Sequence, residues 1–160
     1  MQLTTTGLVH SVLAALCIVI GLVQLVGRKG SPSHRMLGYV FVVSMLIVNI
    51  STLSVRRFTG GFNIFHVEAG LNLACVVAAM LPMLRRPRPS NWLLTHYRWM
   101  AGAYIGLIAA GLTELVVRLG PFATKTQLWT ASAAVGAIVT IVGCGLIARY
   151  RPRRMPVEER

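Results

Sequence analysis

Acidic side chains are scarce in this chain, which has 4 aspartate and glutamate residues among 160. Charged residues of both signs make up 12% of the sequence, whereas 55% is hydrophobic and the mean hydropathy is +0.67. A soluble domain usually carries about a quarter charged residues to cover its surface. The composition therefore excludes a soluble globular protein and indicates an integral membrane protein.

Cysteine is also scarce, and Cys17, Cys75 and Cys144 stand singly in separate apolar segments. None belongs to a Cys-x-x-Cys pair or to the Cys-x-x-Cys-His motif that attaches haem covalently. We therefore expect neither disulfides nor covalent haem, and we interpret the thiols as small buried residues.

The first apolar segment does not resemble a cleavable signal peptide. The stretch from Met1 to Thr6 has no positive charge, and the apolar run after it is longer than the hydrophobic core of a signal peptide. We therefore expect this segment to remain in the protein as a helix.

Five long apolar segments make up most of the chain, and short breaks rich in arginine, proline and glycine separate them. About 20 residues at 1.5 Å each cross a hydrocarbon core of about 30 Å, and every segment reaches that length. The sequence predicts an all-α fold: an integral membrane up-down four-helix bundle plus a fifth transmembrane helix. The predicted single domain covers residues 1–148, a basic tail covers 149–160, and the spans run over about 4–26, 35–55, 62–84, 92–118 and 127–148.

The net charge of +12 arises from basic residues that are divided unequally between the two sides of the predicted bundle. One side, with the first loop, the third loop and the tail, receives twelve of the 16, and the other receives Arg56, Arg57, Arg118 and Lys125. Basic residues are retained in the cytoplasm, so we expect the N-terminus to lie outside and the C-terminus to be cytoplasmic. Basic and aromatic residues do not interleave on one face, so the expected partner is the lipid bilayer and not nucleic acid.

Histidine is rare too, but each of the four stands near the start of an apolar segment: His10, His34, His66 and His96. Because successive helices are antiparallel, His10 and His66 share one membrane face, and His34 and His96 share the other. In an up-down bundle the first and third helices lie on one diagonal, and the second and fourth on the other. Each diagonal therefore carries one pair of histidines at a common level.

Two imidazoles that face each other across a helical bundle are typical axial ligands of a b-type haem iron. The sequence therefore predicts a transmembrane electron-transfer protein with two haem b groups, one held by His10 and His66, the other by His34 and His96. Sixteen residues at about 1.5 Å each place the two levels roughly 20–25 Å apart. Whether such a chain is itself an oxidoreductase or an electron-transfer subunit stays open, and its donor would be a quinol or another small redox molecule.

Other residues near the histidines suit the same cofactor. Gly38 and Gly70 each follow a histidine by four residues, where a missing side chain would leave room for a porphyrin; close helix packing is the alternative explanation. Arg35 and Arg98 flank the cytoplasmic pair, where guanidinium groups would bind haem propionates. Snorkelling to the membrane interface is the alternative explanation for these arginines.

Glu114 allows a second interpretation, because it lies on the same helical stripe as His96 and at the level of His10 and His66. Two imidazoles and a carboxylate could bind a single transition-metal ion in place of haem. Glu114 is also spaced to form an ion pair with Arg118. A third interpretation is a haem-free structural or assembly subunit in which the histidines make only hydrogen bonds.

The third predicted helix carries one more acidic residue, Glu68, about 200° around the helix from His66 and on one face with Asn72. We interpret that face as serving helix packing or proton handling, away from the histidines. The inward stripe of this helix is predicted to continue through Gly70, Leu73 and Val77.

Two asparagines, Asn49 and Asn63, lie near the outer helix ends, and both are expected to be helix caps.

The fifth segment is expected to be peripheral to the histidine site. Its small residues would offer partner membrane subunits a packing face, through Gly136, Gly143 and Gly145.

The chain resembles a bacterial family of membrane proteins, the domain of unknown function 2306. The resemblance covers residues 7–120 and rests on His34-Arg35-Met36-Leu37-Gly38-Tyr39, Phe62-Asn63-Ile64-Phe65-His66, and His96 with Met100, Tyr104, Ala109-Ala110-Gly111 and Arg118. The family has no settled activity, so the resemblance implies the membrane fold, a location in the bacterial inner membrane and the importance of the histidines. Val117-Arg118-Leu119-Gly120 departs from the proline-glycine-arginine end that the family leads us to expect. The topology is also similar to that of four-helix dihaem b-type cytochromes.

Overall fold

The computed structural model describes residues 5–54, 61–122 and 124–149. Five helices follow one another: α1 (Thr5–Val26), α2 (Pro32–Ser54), α3 (Ile64–Leu84), α4 (Trp92–Leu119) and α5 (Lys125–Arg149). All five are long and apolar enough to cross a membrane, which confirms the predicted fold class. Their ends differ from the predicted span ends by at most three residues. Arg56, Arg57 and the predicted tail beyond Arg149 lie outside the described residues.

The first four helices form a ring in which each helix packs against its neighbours in sequence, and α1 closes the ring against α4. Within the described ranges, the diagonal pairs, α1 with α3 and α2 with α4, do not approach each other closely. This arrangement is an up-down four-helix bundle. α5 lies outside the ring and packs along α4, with a small contact to α3. We call the end at which α1 and α3 begin the His10 end, and the end at which α2 and α4 begin the His34 end.

Buried side chains from all four ring helices form the core, which contains Cys17, Ile20, Phe41, Met45, Val76, Ala103 and Leu107. A close helix contact occurs at Gly21 of α1, where an ideal Cβ would lie 2.3 Å from two ring carbons of Tyr104 in α4. The Tyr104 hydroxyl donates to the Ile18 carbonyl at 3.1 Å and so fixes the ring against α1. In lipid there is little hydrophobic drive between helices, so close packing of this kind stabilises the bundle.

A buried polar chain links α2, α3 and α4 in the middle of the bundle. Asn49 Nδ2 donates to Asn72 Oδ1 at 3.2 Å, and Asn72 Nδ2 donates to the Ala103 carbonyl at 2.7 Å. Gly106 leaves room for this amide, because a Cβ there would lie 2.7 Å from Asn72 Nδ2. Asn49 also donates to the Met45 carbonyl at 2.8 Å, inside its own helix. The predicted capping role of Asn49 is therefore wrong, and the residue instead joins two helices.

The interior face of α3 also differs from the predicted one. Its buried residues follow steps of three and four and are His66, Ala69, Asn72, Val76, Ala79 and Pro82. Gly70 and Val77, which belong to the predicted stripe, are exposed. The prediction took His66 as the centre of the buried face, whereas His66 lies at its edge, in the first turn. The face that carries Asn72 is therefore the interior face, and Glu68 borders it.

Candidate functional site

At the His10 end, the half-buried His10 ring of α1 reaches across to α2. Its Nδ1 lies 2.8 Å from Ser51 Oγ, and that hydroxyl donates to the Val48 carbonyl at 2.8 Å. Because the hydroxyl hydrogen is committed to Val48, the imidazole is the donor in its contact with Ser51, and Nδ1 carries the proton. Nε2 then holds a lone pair, and it makes no hydrogen bond with the described residues.

His66 lies in the first turn of α3 and takes part in the helix cap. The cap residue Asn63 accepts from the Phe65 N–H at 3.0 Å, and His66 Nδ1 lies 2.9 Å from the same amide oxygen and 3.3 Å from the Asn63 nitrogen. This is a capping box, which confirms the predicted role of Asn63. The Phe62 ring packs beside the imidazole at 5.3 Å between centroids. In the capping box Nδ1 accepts from the Asn63 N–H, so a neutral ring carries its proton on Nε2, which has no partner in the described chain.

At the His34 end, the His96 ring of α4 points toward α3. Its Nδ1 lies 3.0 Å from the Ala79 carbonyl oxygen. A carbonyl only accepts, so Nδ1 carries the proton and Nε2 the lone pair. Pro82 lies in the next turn of α3 and has no N–H to donate to the Ala78 carbonyl, which neighbours this acceptor.

His34 lies in the first turn of α2, within electrostatic reach of His96 and Lys29. Its backbone is fixed on both sides, because the N–H donates to Ser31 Oγ at 3.1 Å and the carbonyl accepts from Gln24 Nε2 at 2.8 Å. The imidazole Nδ1, by contrast, is buried and has no hydrogen-bond partner among the described residues. Buried polar atoms are nearly always hydrogen-bonded, so this nitrogen is the least satisfied atom at this end.

Basic side chains surround the His34 end. The Lys29 ammonium donates to the Leu25 carbonyl at 2.7 Å and also to the Gln24 carbonyl, which closes the end of α1. Partial removal from water lowers the pKa of Lys29. Arg35 and Arg98 are exposed beside the two histidines. Both acidic residues in the described ranges lie in the other half of the bundle, so the local potential at the His34 end favours anions.

The two glycines expected to make room for a porphyrin do not border open space inside the bundle. An ideal Cβ at Gly38 would lie 3.1 Å from Gln24 Nε2, so the amide that binds the His34 carbonyl fills the space beside it. Gly70 is exposed, and no atom lies within 4 Å of its ideal Cβ. Gly38 thus admits the Gln24 side chain, and Gly70 lies on the outer surface of α3.

Glu114 forms an ion pair with Arg118, one turn further along α4. Arg118 Nε donates to Glu114 Oε1 at 3.0 Å, and a second guanidinium nitrogen contacts the same oxygen. The pair borders an open cleft of about 280 Å³ between α1 and α4, lined by Ser11, Gly111, Glu114, Leu115 and Arg118. The described residues contain no group of three or more histidine, cysteine, aspartate or glutamate side chains that could hold a metal ion. The structure therefore does not bring Glu114 together with His10 and His66 as a metal site.

All three cysteines are free thiols. Cys17 is buried in the core as expected, and Cys75 is half-buried. Cys144 is exposed on α5, so its predicted burial is wrong, because α5 contacts the bundle along one side only.

Fold and site together define a five-helix integral membrane protein with histidines at both ends of its bundle. The family model described as predicted membrane protein, domain of unknown function 2306, matches residues 7–151. The chain belongs to this family. No curated protein and no solved structure matches it. Its function therefore has to be argued from the geometry of its own residues.

Proposed function

We propose that this membrane protein binds haem b through its histidine pairs and carries electrons across the bilayer. The observation that supports this most is the orientation of the imidazoles. His10 and His96 each donate from Nδ1 to the protein and leave the Nε2 lone pair without a partner among the described residues. His66 Nδ1 lies 2.9 Å from Asn63 Oδ1, so His66 would adopt the same arrangement by donating to that oxygen in place of accepting from the Asn63 N–H. Histidines that ligate a metal have this arrangement, because the second contact fixes the ring and its tautomer. His34 adds a buried nitrogen that the protein does not satisfy.

The set of donor atoms suits a haem iron. Pairs of neutral imidazoles ligate b-type iron without carboxylates, and no carboxylate joins the histidines in the described chain. His34 and His96 would hold one haem and His10 and His66 the other, so each pair belongs to one diagonal of the ring. When bound, the haem would supply one-electron chemistry at each end.

The chain's own residues would orient and tune the ligands. The Ala79 carbonyl and the Ser51 hydroxyl accept from His96 and His10. A hydrogen bond of this kind makes the opposite ring nitrogen a better donor to a metal. The packed core between the two ends, which includes Phe41 and Met45, keeps water out of the path between them.

Charge at the His34 end would assist as well. Lys29, Arg35 and Arg98 present cationic groups close to the pair, and guanidinium groups bind carboxylates in a bidentate geometry. They would stabilise the propionates of a haem or an anionic small redox donor. A membrane quinol is the class of donor that fits an embedded site, and the exposed outer side of α5 would serve partner subunits.

The absorption spectrum of the purified protein tests the proposal. Protein expressed with ample haem supply and purified in detergent is expected to show a Soret band and haem close to two per chain. A variant with all four histidines changed to alanine serves as the blank for haem that binds non-specifically. A wild-type spectrum that matches this blank would remove the proposal and leave the histidines with their hydrogen-bonding roles.

We further propose that the His34 end faces the cytoplasm. Twelve of the 16 basic residues belong to that side by sequence, and positive loops are retained inside. Green fluorescent protein fused after Arg160 is expected to fluoresce, whereas alkaline phosphatase at the same place is expected to be inactive. Fusions after Gly120, which omit α5, should give the reverse. The opposite pattern in both pairs would show that the protein is inverted.

A further inference from the structure

Glu68, in the second turn of α3, lies where three helices meet. Its Oε1 accepts from Thr113 Oγ1 of α4 at 3.4 Å, and an ideal Cβ at Gly136 of α5 would lie 3.7 Å from the same oxygen. Oε2 is buried and has no hydrogen-bond partner in the described part of the chain. The carboxyl group therefore lies at the junction of α3, α4 and α5, in the half of the bundle near the His10 end.

Ser132 provides a second, independent observation at this junction. α5 leaves most of its surface exposed, and Ser132 is its fully buried residue, with 0% exposure. Its hydroxyl has no hydrogen-bond partner among the described residues. Ser132 precedes Gly136 by one helical turn, so it shares the face of α5 that Gly136 turns toward Glu68. Thr113 is also 0% exposed, so the junction holds two fully buried hydroxyl groups, of which that of Thr113 contacts the carboxyl group.

Among the described residues, no cationic side chain forms an ion pair with the Glu68 carboxyl group. On α4, the nearby cation is Arg118, and it forms an ion pair with Glu114, the residue after Thr113. On α3, the ring of His66 is engaged with Asn63. The ionisable groups of α5 are at its two ends, apart from an exposed cysteine. α2, which packs against α3 elsewhere, carries its ionisable side chains at the His34 end.

We propose that Glu68, Thr113 and Ser132 form a proton-binding site at the junction of α3, α4 and α5. A carboxylate that is removed from water without a counter-ion is strongly disfavoured, and one proton cancels its charge. The same proton turns Oε2 into a hydrogen-bond donor. Oε2 and Ser132 Oγ make no direct hydrogen bond in the structure, so a water or a small side-chain rotation would link them. Because Glu68 lies near the start of α3, the proton exchanges with water at the His10 end. α5 then lines one side of this site, and protonation of Glu68 does not require bound haem.

Dicyclohexylcarbodiimide is a suitable probe, because it enters membranes and reacts with protonated carboxyl groups. The acid proton moves to one carbodiimide nitrogen while the carboxylate oxygen bonds to the central carbon. The acyl group then shifts to nitrogen, which gives a stable N-acylurea without a leaving group. The folded wild-type protein in lipid vesicles at neutral pH is expected to gain one adduct, located at Glu68 by peptide mass spectrometry. The adduct yield should fall as the pH is raised.

Two variants make this experiment decisive. Glu68→Gln removes the acid with little change in size and is expected to abolish the adduct. Glu114→Gln is the matched control and is expected to keep the Glu68 adduct, because Glu114 is paired with Arg118 and lies away from the Glu68 junction. Labelling of Glu114 in place of Glu68, or no labelling of folded wild type, would overturn the proposal.

Infrared spectroscopy provides a second readout that requires no reagent. The wild type is expected to show the C=O band of a protonated carboxylic acid, which shifts in D2O and disappears in Glu68→Gln. Ser132→Ala should move this band, because it removes one of the two buried hydroxyl groups of the site. Identical spectra of wild type and Glu68→Gln would contradict the proposal. Haem content is expected to stay at the wild-type level in Glu68→Gln, so failure here and failure of the haem proposal are distinguishable.

Discussion

Leucine in place of Gly21 is expected to destabilise the bundle by about 2–4 kcal/mol. A side chain at this position has no space, since even a Cβ would lie 2.3 Å from Tyr104 ring carbons and 3.2 Å from Phe41. Overpacking of a close-packed core costs about 1–3 kcal/mol. Displacing the Tyr104 ring also breaks its hydrogen bond to the Ile18 carbonyl, which adds about 1 kcal/mol.

The midpoint of unfolding, followed by circular dichroism as dodecyl sulfate is added to the detergent-solubilised protein, measures this effect. Gly145→Leu is the matched control, because Gly145 is exposed on α5 and no atom lies within 4 Å of its ideal Cβ. It should leave the midpoint nearly unchanged. Adding Tyr104→Ala to Gly21→Leu should restore part of the loss, since it removes the clashing ring. Equal midpoints for both leucine variants would mean that the α1–α4 contact is not tight.

The helices and their arrangement could be predicted because they depend on quantities that a single sequence contains. Apolar length gives the spans, and short loops force antiparallel neighbours, which places α1 opposite α3 and α2 opposite α4. At 100° per residue, the stripe of α1 that starts at His10 continues through Cys17 and Gly21, and both of these residues are buried. In α1 the histidine and the core share one face.

The interior face of α3 could not be predicted from His66 in the same way. That histidine caps the helix, so its direction follows from Asn63 and not from the bundle axis. A better signal was present in Asn72, because an amide in the middle of a membrane span requires a partner and so has to face other helices. Its contacts with Asn49 and the Ala103 carbonyl show which face that is.

Side-chain contacts between residues of different helices also cannot be predicted from the periodicity of a single helix. Ser51 binds His10 across 41 residues of sequence, and Gln24 fills the space beside Gly38. Both contacts depend on how far each helix is rotated about its axis, which the local pattern does not define. The junction of Glu68 with α5 depends on the same rotation, so the local pattern offered no basis for naming Ser132.

Removal of either imidazole at the His34 end is expected to remove one haem of two. A b-type haem with two axial histidines is lost or greatly weakened when one ligand is removed. His34→Ala and His96→Ala should each halve the haem content, and the double variant should lose no more than either single one. Combining His34→Ala with His10→Ala should remove nearly all haem, because each change affects a different pair. The ratio of haem to protein, measured after extraction into pyridine, distinguishes these cases.

Unequal losses, or a double variant at the His34 end that loses more than its singles, would show that these two residues do not share one cofactor. Ser51→Ala provides a positioning control at the other end. It removes the acceptor for His10 Nδ1 and is expected to weaken haem binding there about 10–100-fold, as loss of such a contact does. The haem at the His34 end should be unaffected.

His34→Ala is the most informative single substitution, because the histidines differ in what else they do. Alanine at position 10, 66 or 96 breaks a hydrogen bond to Ser51, Asn63 or Ala79, so haem loss there could follow from a disturbed helix contact. The His34 imidazole Nδ1 has no partner to lose within the described chain, and the backbone contacts of this residue survive the change. Haem loss in His34→Ala with an unchanged unfolding midpoint would therefore reflect a lost ligand and not a lost fold.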